Sequence, residues 1–152
     1  MSADPVPEHY RAAAADGRIA LVAESFERFL GRPLVEPGDD LVASMWHAPA
    51  AILAHGTEPD PIFFFANARA LAAFDYDVET ILRTPSRLSA EASLREERQA
   101  LLDRVTREGF IDDYSGVRIA SSGRRFTIEQ AIVWNILDEQ GVRHGQAATF
   151  TL

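Results

Sequence analysis

Two glutamines carry the clearest chemical signal in the chain. Phe126, Ile128, Gln130, Ile132, Trp134 and Ile136 alternate at strand spacing, which puts them on one face. Gln146, Ala148, Phe150 and Leu152 repeat the pattern in the last run. Both amides therefore stand among apolar neighbours on the face assigned to the core. A buried amide without hydrogen-bond partners costs about 1–3 kcal/mol. One reading gives these amides a bound small molecule. The other gives them neighbouring backbone, Tyr114 or ordered water. Trp134 shares their face and serves as core filling or as a stacking platform.

The remaining candidates are charged or titratable. The four histidines are His9, His47, His55 and His144, and none sits at metal-ligand spacing from another. His55 with Asp60 or Asp113 would suit a small acid–base enzyme. Asp112-Asp113 by itself reads as a solvated acidic pair at a strand start. No G-x-S-x-G elbow accompanies the serines. Arg87, Arg95, Arg98, Arg118 and Arg125 are arginines able to clamp a carboxylate, or to pair with surface acids. With no cysteine, thiolate nucleophiles, disulfides and Cys-bound metals are excluded. With no lysine, Schiff-base chemistry is excluded too.

These side chains need elements to position them. The last forty-odd residues hold three extended runs, Phe110–Ala120, Arg125–Leu137 and His144–Leu152, joined by polar or Gly-containing turns. Two shorter strands, Ala50–His55 and Ile62–Ala66, flank a Gly-Pro turn. Between the two groups lie helices. Asn67 is placed to cap one over Ala68–Phe74, and Asp77 one over Val78–Arg83. Ser86–Ala92 reads as a polar loop or single turn. Ser93 and Glu96 form a capping box for a helix reaching Glu108 and ending at Gly109. Its buried side is Leu94, Leu101, Leu102 and Val105. Helices in mid-chain must cross one face of a single sheet, an α+β arrangement.

Ahead of the sheet, His9–Ala15 makes one or two helical turns. Arg18–Leu30 is a helix whose stripe is Ile19, Val22, Phe26, Phe29 and Leu30. Asp39 or Asp40 caps a short helix through Trp46–His47. The stripe must bury itself on this domain or on a second copy. The expected division is a helical extension over residues 1–45 and one domain over 46–152. A net charge of −8 argues against nucleic acid or an anionic membrane as partner. No signal peptide or membrane span is visible, so the expected location is cytoplasmic.

From about Trp46 onward the order of elements resembles a PAS domain. Ile62-Phe63-Phe64-Phe65-Ala66-Asn67-Ala68-Arg69-Ala70-Leu71 is similar to the strand–Asn–helix signature of that fold. Phe74-Asp75-Tyr76-Asp77-Val78-Glu79 resembles the segment that follows, with Asp75 replacing the usual Gly. A closer resemblance is to the MEKHLA domain, a PAS-like family of small stand-alone bacterial proteins. That domain also ends the class III homeodomain–leucine zipper regulators of plants. It rests on His55-Gly56-Thr57-Glu58, Asp60-Pro61, Pro85-Ser86-Arg87-Leu88-Ser89-Ala90-Glu91 and Arg95-Glu96-Glu97-Arg98. It continues through Gly109-Phe110-Ile111-Asp112-Asp113-Tyr114-Ser115-Gly116-Val117-Arg118, Gly123-Arg124-Arg125-Phe126, Ala131-Ile132-Val133-Trp134-Asn135 and Gly145-Gln146-Ala147-Ala148.

The resemblance implies a five-stranded antiparallel sheet with helices on one face and an N-terminal helical extension. It implies a sensory or interaction module of bacterial origin, non-catalytic, which binds a small molecule or has a filled core. Gln130, Gln146, Trp134, Tyr114, His55 and Arg87 are the expected ligand-binding residues. PAS domains commonly dimerise through a helix preceding the sheet, so a homodimer is expected. No cofactor is named. Flavin photochemistry of the light-oxygen-voltage kind would need the absent cysteine. No histidine lies on the helices that would hold a haem.

Overall fold

The computed structural model describes residues 5–15, 17–90 and 95–151. Helix α1 (Glu8–Ala15) leads into α2 (Arg18–Leu30), which ends at Gly31. Gly31 adopts φ 73° and returns its N–H to the Glu27 carbonyl, a left-handed stop that suits a residue without Cβ. Helix α3 (Leu41–Trp46) starts where the Asp40 carboxylate accepts from the Ala43 N–H. Strands β1 (Ala51–His55) and β2 (Phe63–Ala66) follow.

Asn67 then does more than cap α4 (Ala68–Phe74). Its Oδ1 accepts from Ala70 N and Ile52 N, both at 3.0 Å. Its Nδ2 donates to Met45 O at 3.0 Å and Ala50 O at 2.8 Å. One fully buried amide thus ties α3, β1 and α4 together. Asp77 caps α5 (Val78–Ile81) through Thr80 N. A 3-10 turn covers Ser86–Ser89, and α6 runs over Arg95–Glu108. The expected Ser93 capping box and Leu94 lie outside the described residues.

The C-terminal strands are β3 (Phe110–Ile119), β4 (Arg125–Leu137) and β5 (Arg143–Phe150). Together with the first two they make one antiparallel sheet in the order β2-β1-β5-β4-β3. The chain is thus an α+β domain with a five-stranded sheet. Joining β1 to β5 brings His55 beside Gln146 across ninety residues of sequence. That approach requires Gly145, whose φ is 146° and where a Cβ would collide with the His55 carbonyl.

Both faces of the sheet are covered. Phe74 of α4 packs edge-on against Phe126 and Phe150, and α6 sets Val105 against Ile111 and Val133 on the same inner face. The extension takes the outer face. Phe26 of α2 meets Trp134 with ring centroids 4.9 Å apart, and the Trp134 Nε1–H donates to Val22 O at 3.0 Å. Phe29 lies against Phe110. In α1, the Tyr10 hydroxyl donates to Ala66 O at 2.7 Å and accepts from Ala66 N at 3.1 Å. The apolar stripe of α2 is therefore buried within its own chain, and the argument that it awaits a second copy falls.

Two bulges set the faces. Between the pairs Gly116↔Ile128 and Tyr114↔Ala131, Ser115 alone opposes Glu129 and Gln130. Gln130 takes φ 52° there and its N–H reaches the Ser115 hydroxyl at 3.4 Å. Between Tyr114↔Ala131 and Ile111↔Val133, Asp112 and Asp113 oppose Ile132 alone. Each extra residue reverses the alternation beyond it. Phe126 and Ile128 face inward, and so do Ala131, Val133 and Asn135. Gln130 is exposed, and Trp134 points outward under α2. Placing Gln130 and Trp134 on the pocket face is therefore corrected.

Candidate functional site

A cavity of about 60 Å³ lies between the inner face and the helices. Its wall is mainly apolar, with Leu53, Phe63, Leu101, Ile128, Ala131 and Ala148 among its residues. The polar groups at it are His55, Ser89, Arg98, Tyr114, Arg118 and Gln146. No Asp or Glu lines it among the described residues.

Gln146 is buried, but its amide nitrogen is occupied. Nε2 donates to Asn135 Oδ1 at 3.0 Å, Thr106 Oγ1 at 3.0 Å and Leu102 O at 3.1 Å. Asn135 Nδ2 donates in turn to Val105 O at 3.0 Å. Two neighbouring strands thereby hold the C-terminal half of α6 against the sheet. Of the two readings open for Gln146, the one using neighbouring groups accounts for this nitrogen.

His55 is different. It is 7% exposed, and its Nδ1 lies 3.1 Å from the Gly56 carbonyl. A carbonyl only accepts, so Nδ1 carries the proton and Nε2 is left a bare acceptor. That Nε2 is buried with no hydrogen-bond partner among the described residues. Burial pulls the imidazole pKa down to about 4, against the opposing effect of the Gly56 carbonyl, so the ring is neutral at physiological pH.

Arg98 is the second unusual group. It is 9% exposed, and Nη2 donates to the Ser86 hydroxyl at 2.9 Å. Among the described residues it has no carboxylate partner. Burial first, and the nearby Arg118 charge second, lower its pKa to about 10. Arg118 is half-buried, with its guanidinium 5.0 Å from the centre of the Tyr114 ring. Burial lowers its pKa as well. Tyr114 lies over Gly116, where any side chain would strike the phenol oxygen.

Of the expected residues, Gln146, Tyr114 and His55 border the cavity, and Gln130, Trp134 and Arg87 do not. Arg87 is at the surface, its Nε 3.2 Å from an Asp60 carboxylate oxygen. Asp60 is thereby engaged, and Asp113 is exposed beside Arg104 at 3.6 Å. Among the described residues no carboxylate hydrogen-bonds His55, so the acid–base pairing is not assembled. Asn135 was missed because the bulge hid its face. Arg98 had a visible signal: it falls three and four residues before Leu101 and Leu102, on the apolar stripe of α6.

The sequence model of the MEKHLA domain matches residues 17–152. The chain belongs to the MEKHLA domain family. The match begins within the N-terminal helices, in keeping with α2 covering the sheet. Among curated relatives of this MEKHLA chain, Homeobox-leucine zipper protein ATHB-8 of Arabidopsis thaliana is 25% identical over 126 residues, 81% of this chain and 15% of that protein. Homeobox-leucine zipper protein HOX33 of Oryza sativa subsp. indica is 33% identical over 113 residues, 72% of this chain and 13% of that protein. The MEKHLA chain thus spans about one-seventh of the length of such relatives. They are plant proteins, which overturns the expectation of a bacterial one.

Solved structures show the same fold. The PAS domain of a protein from Colwellia psychrerythraea aligns at TM-score 0.60 and 15% identity, over 71% of this chain and 89% of that chain. A variant of Vivid aligns at TM-score 0.60 and 15% identity, over 86% and 99%. An RNA-binding light-oxygen-voltage receptor aligns at TM-score 0.63 and 17% identity, over 78% and 37%. The flavin chemistry of the light-oxygen-voltage kind does not fit this MEKHLA domain. The chain has no cysteine to form the adduct. No helix among the described residues is long and apolar enough to cross a membrane.

Proposed function

We propose that this MEKHLA domain is a sensory module that binds a small molecule between the inner sheet face and its helices. The observation that carries the proposal is the buried Nε2 of His55, unpartnered among the described residues, on a side chain that lines a mainly apolar cavity. An orphaned buried acceptor costs free energy that a ligand hydroxyl or N–H would recover. His55, Tyr114 and the interior side of Gln146 are the proposed contacts. Occupancy would be felt by α6, which Gln146 and Asn135 hold to the sheet. The signal would leave by protein contact, a second copy of the chain included. Sedimentation equilibrium with and without ligand reads that step.

Native mass spectrometry of the protein purified from its source tests the binding. The expected spectrum carries an added mass that denaturation removes and that Ala148→Leu, which fills the cavity, abolishes. A bare mass throughout overturns the reading. The competing interpretation, an interaction domain with a filled core, is favoured by one observation: the Gln146 nitrogen already has three acceptors inside the protein.

A further inference from the structure

We infer that the ligand class is a short-chain apolar monocarboxylate, its carboxylate held at Arg98 and Arg118. This rests on the cavity being a binding site, as proposed above, and adds the sign of the charge and the size. A carboxylate has no proton to give His55 Nε2, so the acid would carry a hydroxyl as well, and butyrate probes the carboxylate alone.

The cavity carries positive charge on a mainly apolar wall. Arg98 and Arg118 both line it, and no acid does among the described residues. The ion pairs of the described residues pass both by: Arg87 goes to Asp60, Arg104 to Glu108 and Asp113, and Arg124 to Asp75. Arg95 gives its Nε to the Ala90 carbonyl at 3.3 Å. Arg98 donates instead to a hydroxyl, the Ser86 Oγ. Burying a guanidinium without a counter-charge destabilises a fold, and a second guanidinium nearby worsens it. A carboxylate between the two would relieve both, with the planar fork of Arg suited to its geometry.

The Arg118 head is oriented without an acid, by the Tyr114 ring beneath it and by donation to the Val117 carbonyl at 3.3 Å. The apolar part of the ligand would lie along Ile128, Ala131 and Ala148. A cavity of about 60 Å³ favours a short acid.

The test is an NMR chemical-shift titration of the full chain with butyrate and with 1-nitropropane. The two have the same shape, and near neutral pH only butyrate is charged. Butyrate is expected to bind about tenfold or more tightly than 1-nitropropane. Arg118→Gln is expected to erase that preference while leaving 1-nitropropane binding unchanged. Arg98→Met is expected to do the same and to raise the melting temperature, because it removes an uncompensated buried charge. Ala148→Leu is expected to abolish binding of both probes.

If 1-nitropropane binds as tightly as butyrate, the charge assignment falls while the cavity remains a binding site. If neither probe binds, the cavity reading falls with it. A preference for butyrate that survives Arg118→Gln, or butyrate binding that survives Ala148→Leu, places the ion elsewhere and overturns the inference.

Discussion

Gln146 and Asn135 face each other across β5 and β4, with Nε2 of one 3.0 Å from Oδ1 of the other, and together they grip three groups within about one turn of α6: Leu102 O, Val105 O and the Thr106 hydroxyl. The pair is buried, so its bonds are not easily replaced by water. It also connects the cavity wall to the one long helix that crosses the inner face.

Gln146→Leu should therefore destabilise the fold by about 1–3 kcal/mol, by leaving the buried Asn135 Oδ1 without its donor. Urea unfolding monitored by tryptophan fluorescence measures it. A stability equal to wild type would show that the grip on α6 is dispensable.

Phe26→Ala should cost about 3–5 kcal/mol, because Phe26 is buried edge-on against Trp134. Amide exchange should then quicken in α2 and along the outer side of β4. A loss below about 1 kcal/mol would mean that α2 does not seal the sheet.

Gln130→Gly should keep stability level or raise it by up to about 1 kcal/mol, since glycine accepts the φ of 52° without strain. Gln130→Val should lower it by about 1–2 kcal/mol, because a β-branched residue resists that region. Neither should alter probe binding, the side chain being exposed. Weakened butyrate binding in Gln130→Gly would contradict the outward placement.

His55 should give the fold a pH dependence. Its pKa is about 4 in the folded protein and 6.5 ordinarily, so the unfolded chain takes up the proton first as pH falls. Stability from this group is fully present above about 6.5. It declines through the window and is lost by about 4, a total of roughly 3 kcal/mol. Denaturation midpoints for wild type and His55→Gln across that range check it. Parallel pH profiles for the two proteins would remove the assignment.

Much of the fold was legible because local rules suffice for local elements. The stripe from Ile19 to Leu30 fixed α2 to the residue, Asn67 and Asp77 announced their helices, and alternation delimited β4. The antiparallel sheet followed from short turns between adjacent runs, and motifs scattered from His55 to Ala148 carried the family.

The faces were not legible. Alternation assigns sides only while every residue is paired, and the extra residue at Glu129-Gln130 shifts all that follows. A strand period of two cannot announce its own interruption, so Trp134 and Asn135 exchanged roles. Nor could the sequence say which of fifteen arginines lacks an acid. Ion pairing depends on what lies within a few ångströms after folding. Only the packing of α6 and β3 over the same cavity put Arg98 and Arg118 there with no carboxylate among the described residues lining it.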